Sequence, residues 1–376
     1  MAARKKDLRK IDGEGSQVLG GKIEQKVMAE IDKTSPVLVT GATGYVAGWI
    51  VKNLLDKGIT VHAAIRDVGN KSKRLHLDKI ANKLNGNIKY FEADLLSHGS
   101  YKEAMDRCEL VFHTASPFFL DSKNAQKELI EPALDGTRNV LDSANKTPSV
   151  KRVVLTSSVA AIYGDTIDSK NVPEGIFDES MWNTSSSPTM SEYSYSKTIA
   201  EKEAWKICGE QNRWDLVVIN PSLVLGPALN PHSEFESKKF MLQMGNGDMK
   251  SGVPDIKLGI VDVRNVAEAH LNAGYNPKAR GRYIISSESM GFLSIGNHLR
   301  QKFGNKYPIP KRVAPKFLVW LIAPIIGIKR NFVSRNVGYG VHFNNSKSKK
   351  ELSIDYIPVK QTVIDFFQQF IDEKLI

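Results

Sequence analysis

At 376 residues, 41% of them hydrophobic and 25% charged, the chain has ordinary globular composition, which excludes disorder throughout its length. Its two cysteines, Cys108 and Cys208, exclude a disulfide framework and a cysteine-based zinc site, and a reducing cytoplasm is the expected location. The formal charge of +11 is scattered over short basic clusters along the chain, so it reads as solvated surface and no nucleic-acid partner is expected.

Residues 1–35 are polar, pattern with no sheet and carry no recognisable targeting signal; they are read as an N-terminal extension. From Pro36 short apolar runs alternate with helical stretches: VLVT, the helix YVAGWIVKNLLDKG, then TVHAAI, IKYFEAD, ELVFHTA, KRVVLTSS and DLVVIN. Continuous apolar runs suit parallel strands buried on both faces, and the helices between them suit right-handed crossovers. The predicted architecture is α/β: a doubly wound parallel sheet over 36–222 and 258–275, with a smaller C-terminal substrate lobe from 223–257 and 276–376. GIVDVRNVAEAHLNAG reads as a strand and a helix with Asn265 as N-cap, and RYIIS as a further short strand. The apolar run 317–328, FLVWLIAPIIGI, is too short to cross a bilayer and is broken by Pro324, so no transmembrane segment is expected. It is read as a helix packed on the lobe; its flanking Lys316, Lys329 and Arg330 leave contact with a membrane surface as the other reading.

GATGYVA places Gly41, Gly44 and Ala47 as G-x-x-G-x-x-A between a strand and a helix. Gly41 permits the tight turn, Gly44 lets backbone approach a pyrophosphate, and Ala47 lets helix pack closely on strand. The helix N-terminus, with Thr43, Tyr45 and Val46, then faces the phosphates of a dinucleotide. The next strand ends at Arg66, where an NAD enzyme carries an acid for the ribose hydroxyls. Arg66 can stack on adenine and pair with a 2′-phosphate, and Lys73 adds a second cation, so NADPH/NADP+ is expected. The alternative makes Arg66 and Lys73 surface bases and Asp67 an NAD-type carboxylate. Asp94, followed by Leu95, either accepts from the adenine amino group or caps the next helix. Thr114, Ala115 and Ser116 end a strand at the height of the cofactor's middle.

In YSYSK, Tyr193 and Lys197 stand four residues apart and share a helical face. A nearby ammonium is expected to lower the tyrosine pKa and make the phenol a usable proton donor to a carbonyl under reduction. Ser158, ending KRVVLTSS, can hydrogen-bond the same carbonyl oxygen, while the nicotinamide supplies hydride. Tyr195 competes for the acid role but lies on a different face from Lys197. His113, inside an apolar strand, reads as a core or cofactor-lining residue, and no metal-ligand set emerges.

Taken together, VTGATGYVAGWIV, AIRD with the following KSK, FEADL, VFHTASP, LTSS, DESMW, YSYSK and NPSLVLGP resemble the extended short-chain dehydrogenase/reductases of the NAD-dependent epimerase/dehydratase superfamily. Within them the likeness, from about Pro36 onward, is to the dihydroflavonol 4-reductase and cinnamoyl-CoA reductase-like branch. The resemblance implies a Rossmann sheet and a triad of Ser158, Tyr193 and Lys197, with Lys197 also holding the nicotinamide ribose. It implies Arg66 and Lys73 on the 2′-phosphate, and Pro221 and Ser222 near the nicotinamide. Tyr163 stands where plant flavonoid reductases carry a small polar residue, and MWNTSSS replaces the NWYCY-type stretch of cinnamoyl-CoA reductases, so a general aldehyde or ketone reductase is the reading taken. Phe118, Phe119 and Tyr163 are the expected pocket residues. Rival readings are a sugar-nucleotide epimerase or dehydratase on retained NAD+ and a non-catalytic NADP-binding redox sensor. The expected partner is a small-molecule carbonyl compound, with a homodimer left open.

Overall fold

The computed structural model describes residues 30–116 and 124–376. Val37–Thr40 forms β1, all four residues buried, and the glycine turn leads into α1 (Tyr45–Asp56). Then follow β2 (Val61–Ile65), α2 (Lys71–Ala81), β3 (Ile88–Glu92), α3 (Lys102–Met105), β4 (Leu110–His113), α4 (Glu131–Lys146) and β5 (Arg152–Thr156). After the short β6 (Ile176–Phe177) come α5 (Glu192–Gly209), β7 (Asp215–Pro221), β8 (Leu223–Leu225), α6 (Glu236–Gly245) and β9 (Ile256–Asp262). Next are α7 (Val263–Tyr275), β10 (Gly281–Ile285), β11 (Glu288–Gly291), α8 (Phe292–Phe303), α9 (Lys316–Ile322) and α10 (Arg330–Asn336). The chain closes with β12 (Tyr339–Gly340), β13 (His342–Phe343), α11 (Ser346–Glu351) and α12 (Val359–Asp372).

Seven strands pair in the order β10-β7-β5-β4-β1-β2-β3, every pairing parallel. Alternate residues of each strand serve opposite faces. Val37 and Val39 pack with α1 and α7, whereas Leu38 packs with α4 and α5. Both faces are therefore covered, which is why the strands read as unbroken apolar runs. The strand order reverses between β1 and β4, and the carboxyl ends of the strands at such a reversal are where open α/β sheets take their ligands.

A smaller sheet, β11-β9-β12 with β8 also on β9, joins α6, α8 and α12 around a second core of Met241, Met244, Phe366, Phe367 and Phe370. The division between the two bodies differs from the expected one. β10, inside the stretch 276–376 assigned to the lobe, is the seventh strand of the main sheet, because α7 returns the chain beside β7. β9 runs on through Asp262 in the lobe sheet, although 258–275 was assigned to the core. The N-cap of α7 is Asp262, whose side chain accepts from Arg264 N; Asn265 sits inside the helix and ties it to Asp355 and Ile357.

Candidate active site

Every predicted site residue among the described ones lies at or just beyond the carboxyl edge of the main sheet. The glycine turn follows β1, Arg66 follows β2, Asp94 and Leu95 follow β3, Thr114–Ser116 follow β4, Ser158 follows β5, and Pro221 and Ser222 end β7. Phe118 and Phe119 lie outside the described residues.

The turn after β1 is built for a close approach. Gly41 adopts φ +62°, and a Cβ there would come within 3.1 Å of the Ala115 side chain and 3.2 Å of its backbone. Only glycine meets both demands without strain. Thr40 fastens this turn to the end of β4: its Oγ1 accepts from the N–H groups of Thr114 and Ala115 at 3.1 and 3.0 Å, while the Thr114 hydroxyl donates to the Thr40 carbonyl. The same Thr40 hydroxyl lies 3.0 Å from His113 Nδ1 and, with both lone-pair directions taken, donates to it. Burial and the Lys197 ammonium bring the His113 pKa down to about 3, so the ring is a neutral core group. No side chain caps α1 at Gly44, so its first N–H groups, at Tyr45 and Val46 beside Thr43, can serve a phosphate. A dinucleotide's pyrophosphate thus fits this cradle. The Tyr45 side chain itself turns to the lobe, donating to the Gly226 carbonyl at 2.6 Å and stacking on Phe235 at 4.4 Å.

At the adenosine end Arg66 and Lys73 are both exposed, Lys73 in the first turn of α2. Asp67 turns its Oδ1 to Asn70 N at 3.1 Å. Asp94 Oδ1 accepts from Leu96 N at 2.8 Å within a turn, and the N-cap of α3 is Tyr101, so Asp94 does not cap that helix. Sequence reasoning missed what holds this loop: buried Asn139 on α4 donates to the carbonyls of Asp94, Leu95 and Ser97 at 3.2, 3.0 and 2.8 Å.

The three reactive side chains converge. Ser158 caps the short helical turn after β5: its Oγ accepts from Ala160 N at 3.1 Å, which leaves its O–H to donate. That hydroxyl neighbours the Tyr193 phenol closely enough to draw its pKa down. One turn further along α5, Lys197 is buried; its ammonium stands 5.8 Å from the Tyr193 ring centre and donates to Ser116 Oγ at 2.9 Å. Against the expected lowering, burial pushes the Tyr193 pKa up to about 12, more than the neighbouring Ser158 hydroxyl pulls it down. Burial moves Lys197 down to about 8, with Glu201 opposing. The phenol is thus a protonated donor and the ammonium the more labile of the two at mildly alkaline pH.

Glu201, four residues beyond Lys197, was not singled out by its sequence, yet it knots three strand ends together. It accepts from Ser157 Oγ at 2.5 Å, Asn220 Nδ2 at 2.8 Å and Arg282 Nε at 2.6 Å, with both charged partners buried. Asn220 also donates to the Ser158 carbonyl at 3.1 Å, so the knot fixes the backbone that carries the serine. Arg282 lies 4.0 Å over the Trp182 ring. The only sequence signal was an acid on the buried face of an otherwise amphipathic helix. Tyr163 packs among Phe177 and Phe343 at 5.3 and 5.8 Å between ring centres. Pro221 pairs with Ile285, and Ser222 N donates to the Ile285 carbonyl at 3.0 Å.

Residues 37–284 match the NAD dependent epimerase/dehydratase family. The chain is 40% identical over 269 residues to cinnamoyl-CoA reductase CAD2 of Medicago truncatula, covering 71% of this chain and 80% of that protein. It is 34% identical over 285 residues to dihydroflavonol 4-reductase of Gerbera hybrida, covering 74% and 75% respectively. Among solved structures, yeast methylglyoxal/isovaleraldehyde reductase Gre2 complexed with NADPH superposes with a TM-score of 0.71 at 26% identity, over 90% of this chain and 99% of that one. With the sheet, the glycine turn and the convergent serine, tyrosine and lysine, these matches show that the chain belongs to the NAD dependent epimerase/dehydratase family, as an extended short-chain dehydrogenase/reductase of the oxidoreductase branch typified by dihydroflavonol 4-reductase and cinnamoyl-CoA reductase.

Proposed function

We propose that the protein is an NADPH-dependent carbonyl reductase that converts an aldehyde or ketone to the alcohol. The observation that carries this reading is the convergence of Ser158, Tyr193 and Lys197 at the sheet edge that also bears the glycine turn. When bound, NADPH supplies the hydride. The Gly41–Val46 turn and the start of α1 hold its pyrophosphate, Arg66 and Lys73 its 2′-phosphate, and Lys197 and Ser116 its ribose. The Ser158 hydroxyl orients the substrate oxygen and offsets the negative charge that grows there. Tyr193, protonated up to about pH 12, donates its proton to that oxygen. Lys197, charged below about pH 8, then assists return of a proton to the phenolate.

Two exposed cations at the adenosine end favour NADPH over the tightly kept NAD+ of an epimerase, and the names borne by the relatives are those of reductases. A redox sensor has no use for a proton donor set beside the nicotinamide position. The test is NADPH consumption with a panel of aromatic and aliphatic aldehydes. Tyr193→Phe should lower turnover by about 10²–10⁴, the share that a positioned acid contributes; unchanged turnover in this variant refutes the assignment.

A further inference from the structure

Nine of the twelve large apolar side chains exposed among the described residues fall within 313–332, on α9, α10 and the turns beside them. Ile325 is 85% exposed and Phe317 64%, and Leu318, Trp320, Leu321, Ile322, Ile326 and Phe332 are also open. One edge of this segment, Val319, Ala323 and Val333 with Ala314 and Ile328 partly buried beside them, packs against the lobe with Ile256. The expected helix packed on the lobe forms over Lys316–Ile322, but it is held by this edge alone. Soluble surfaces seldom leave so much contiguous apolar area uncovered.

The charge around it is equally one-sided. From 289 to 350 the sequence has twelve lysines and arginines and no aspartate or glutamate, so this stretch alone outweighs the +11 of the whole chain. Lys311, Arg312, Lys316, Lys329 and Arg330 flank the apolar residues in sequence and are exposed. Arg330 lies 4.2 Å over the Trp320 ring, an amphipathic pairing suited to an interface. Lys329 pairs with Glu192, the residue before Tyr193, so the surface stands at the catalytic end of the molecule.

We propose that α9, α10 and their connecting turn seat the protein on an anionic phospholipid surface, with Ile325, Ile326, Leu321 and Phe317 entering the acyl boundary and the flanking bases meeting the headgroups. Among the described residues no helix is long and apolar enough to cross a membrane, and apolar residues framed by cations are the chemistry of an interfacial anchor. A second copy suits the surface poorly, because a two-fold contact would press two sets of flanking cations together. Residues 1–29, with seven bases and four acids, also carry the wrong sign to cover it.

The full chain is mixed with vesicles of phosphatidylcholine, with or without phosphatidylserine, and sedimented. Binding should be at least about tenfold stronger with phosphatidylserine and weaken with added salt. Ile325→Asp/Ile326→Asp should abolish it while leaving thermal unfolding unchanged. In the otherwise unaltered protein, brominated acyl chains should quench fluorescence, and Trp320→Phe should remove that quenching. The proposal is overturned if the full chain stays in the supernatant with anionic vesicles, or if the double aspartate variant binds as well. Quenching that persists without Trp320 also overturns it, as does a dimer in solution that this variant splits. Reduction of a water-soluble aldehyde without vesicles should be the same in the double variant, so failure here and failure of the reductase reading can be told apart.

Discussion

On the proposed mechanism, Lys197 is the residue whose protonation should set the working pH range. Its pKa lies near 8 instead of the usual 10.5, so the ammonium is intact at neutral pH and is lost as pH rises through about 8. Turnover should fall along that limb, while Tyr193, at about 12, contributes no limb in the same range. A pH profile flat from 7 to 9 would contradict the role given to Lys197. Arg66→Ala with Lys73→Ala should raise KM for NADPH by about ten- to a hundredfold relative to NADH, the loss expected for charge-assisted bonds to a phosphate. Equal changes for the two cofactors would return Arg66 and Lys73 to plain surface bases. Ser158, Tyr193, Lys197 and Gly41 were legible because their constraints are local: four residues on one helical face, or a strand, a turn and a helix in succession. Thr40, Asn139, Glu201 and Asn220 were not, since their partners stand tens of residues away and depend on strand order.

At the level of elements, the end of the main sheet rests on ties between strands. Removing the Glu201 carboxylate strands Arg282, which is 6% exposed, in a buried site with no counter-charge. Glu201→Ala should therefore cost about 3–5 kcal/mol of unfolding free energy in denaturant titration, far above an ordinary helix substitution. A loss below about 1 kcal/mol would mean that the knot is not structural. Gly41→Ala faces both a left-handed backbone and the Ala115 contact at 3.1 Å. It should cost about 1–2 kcal/mol and weaken cofactor binding together with stability. The parallel strands were readable from their apolar runs, but RYIIS was misplaced. A short strand beyond the core carries no mark of which sheet it joins, and only the path of α7 brings it beside β7.

Across the whole molecule, the segment 317–328 was legible as apolar and too short to span a bilayer, but its exposure was not. Sequence cannot say which face of a short helix finds a partner, and here Val319 and Ala323 do, with Ile328 partly buried beside them. Sheet and lobe meet at a point the sequence also concealed. Tyr45 and Trp49, on the helix whose first turn should seat the pyrophosphate, donate to the carbonyls of Gly226 and Pro227 at 2.6 and 2.9 Å. Occupancy of the nucleotide seat should therefore be felt as mechanical fastening of the lobe. Filling it with NADP+ should slow protease nicking between 226 and 235, and Tyr45→Phe should erase most of that protection without touching a phosphate contact.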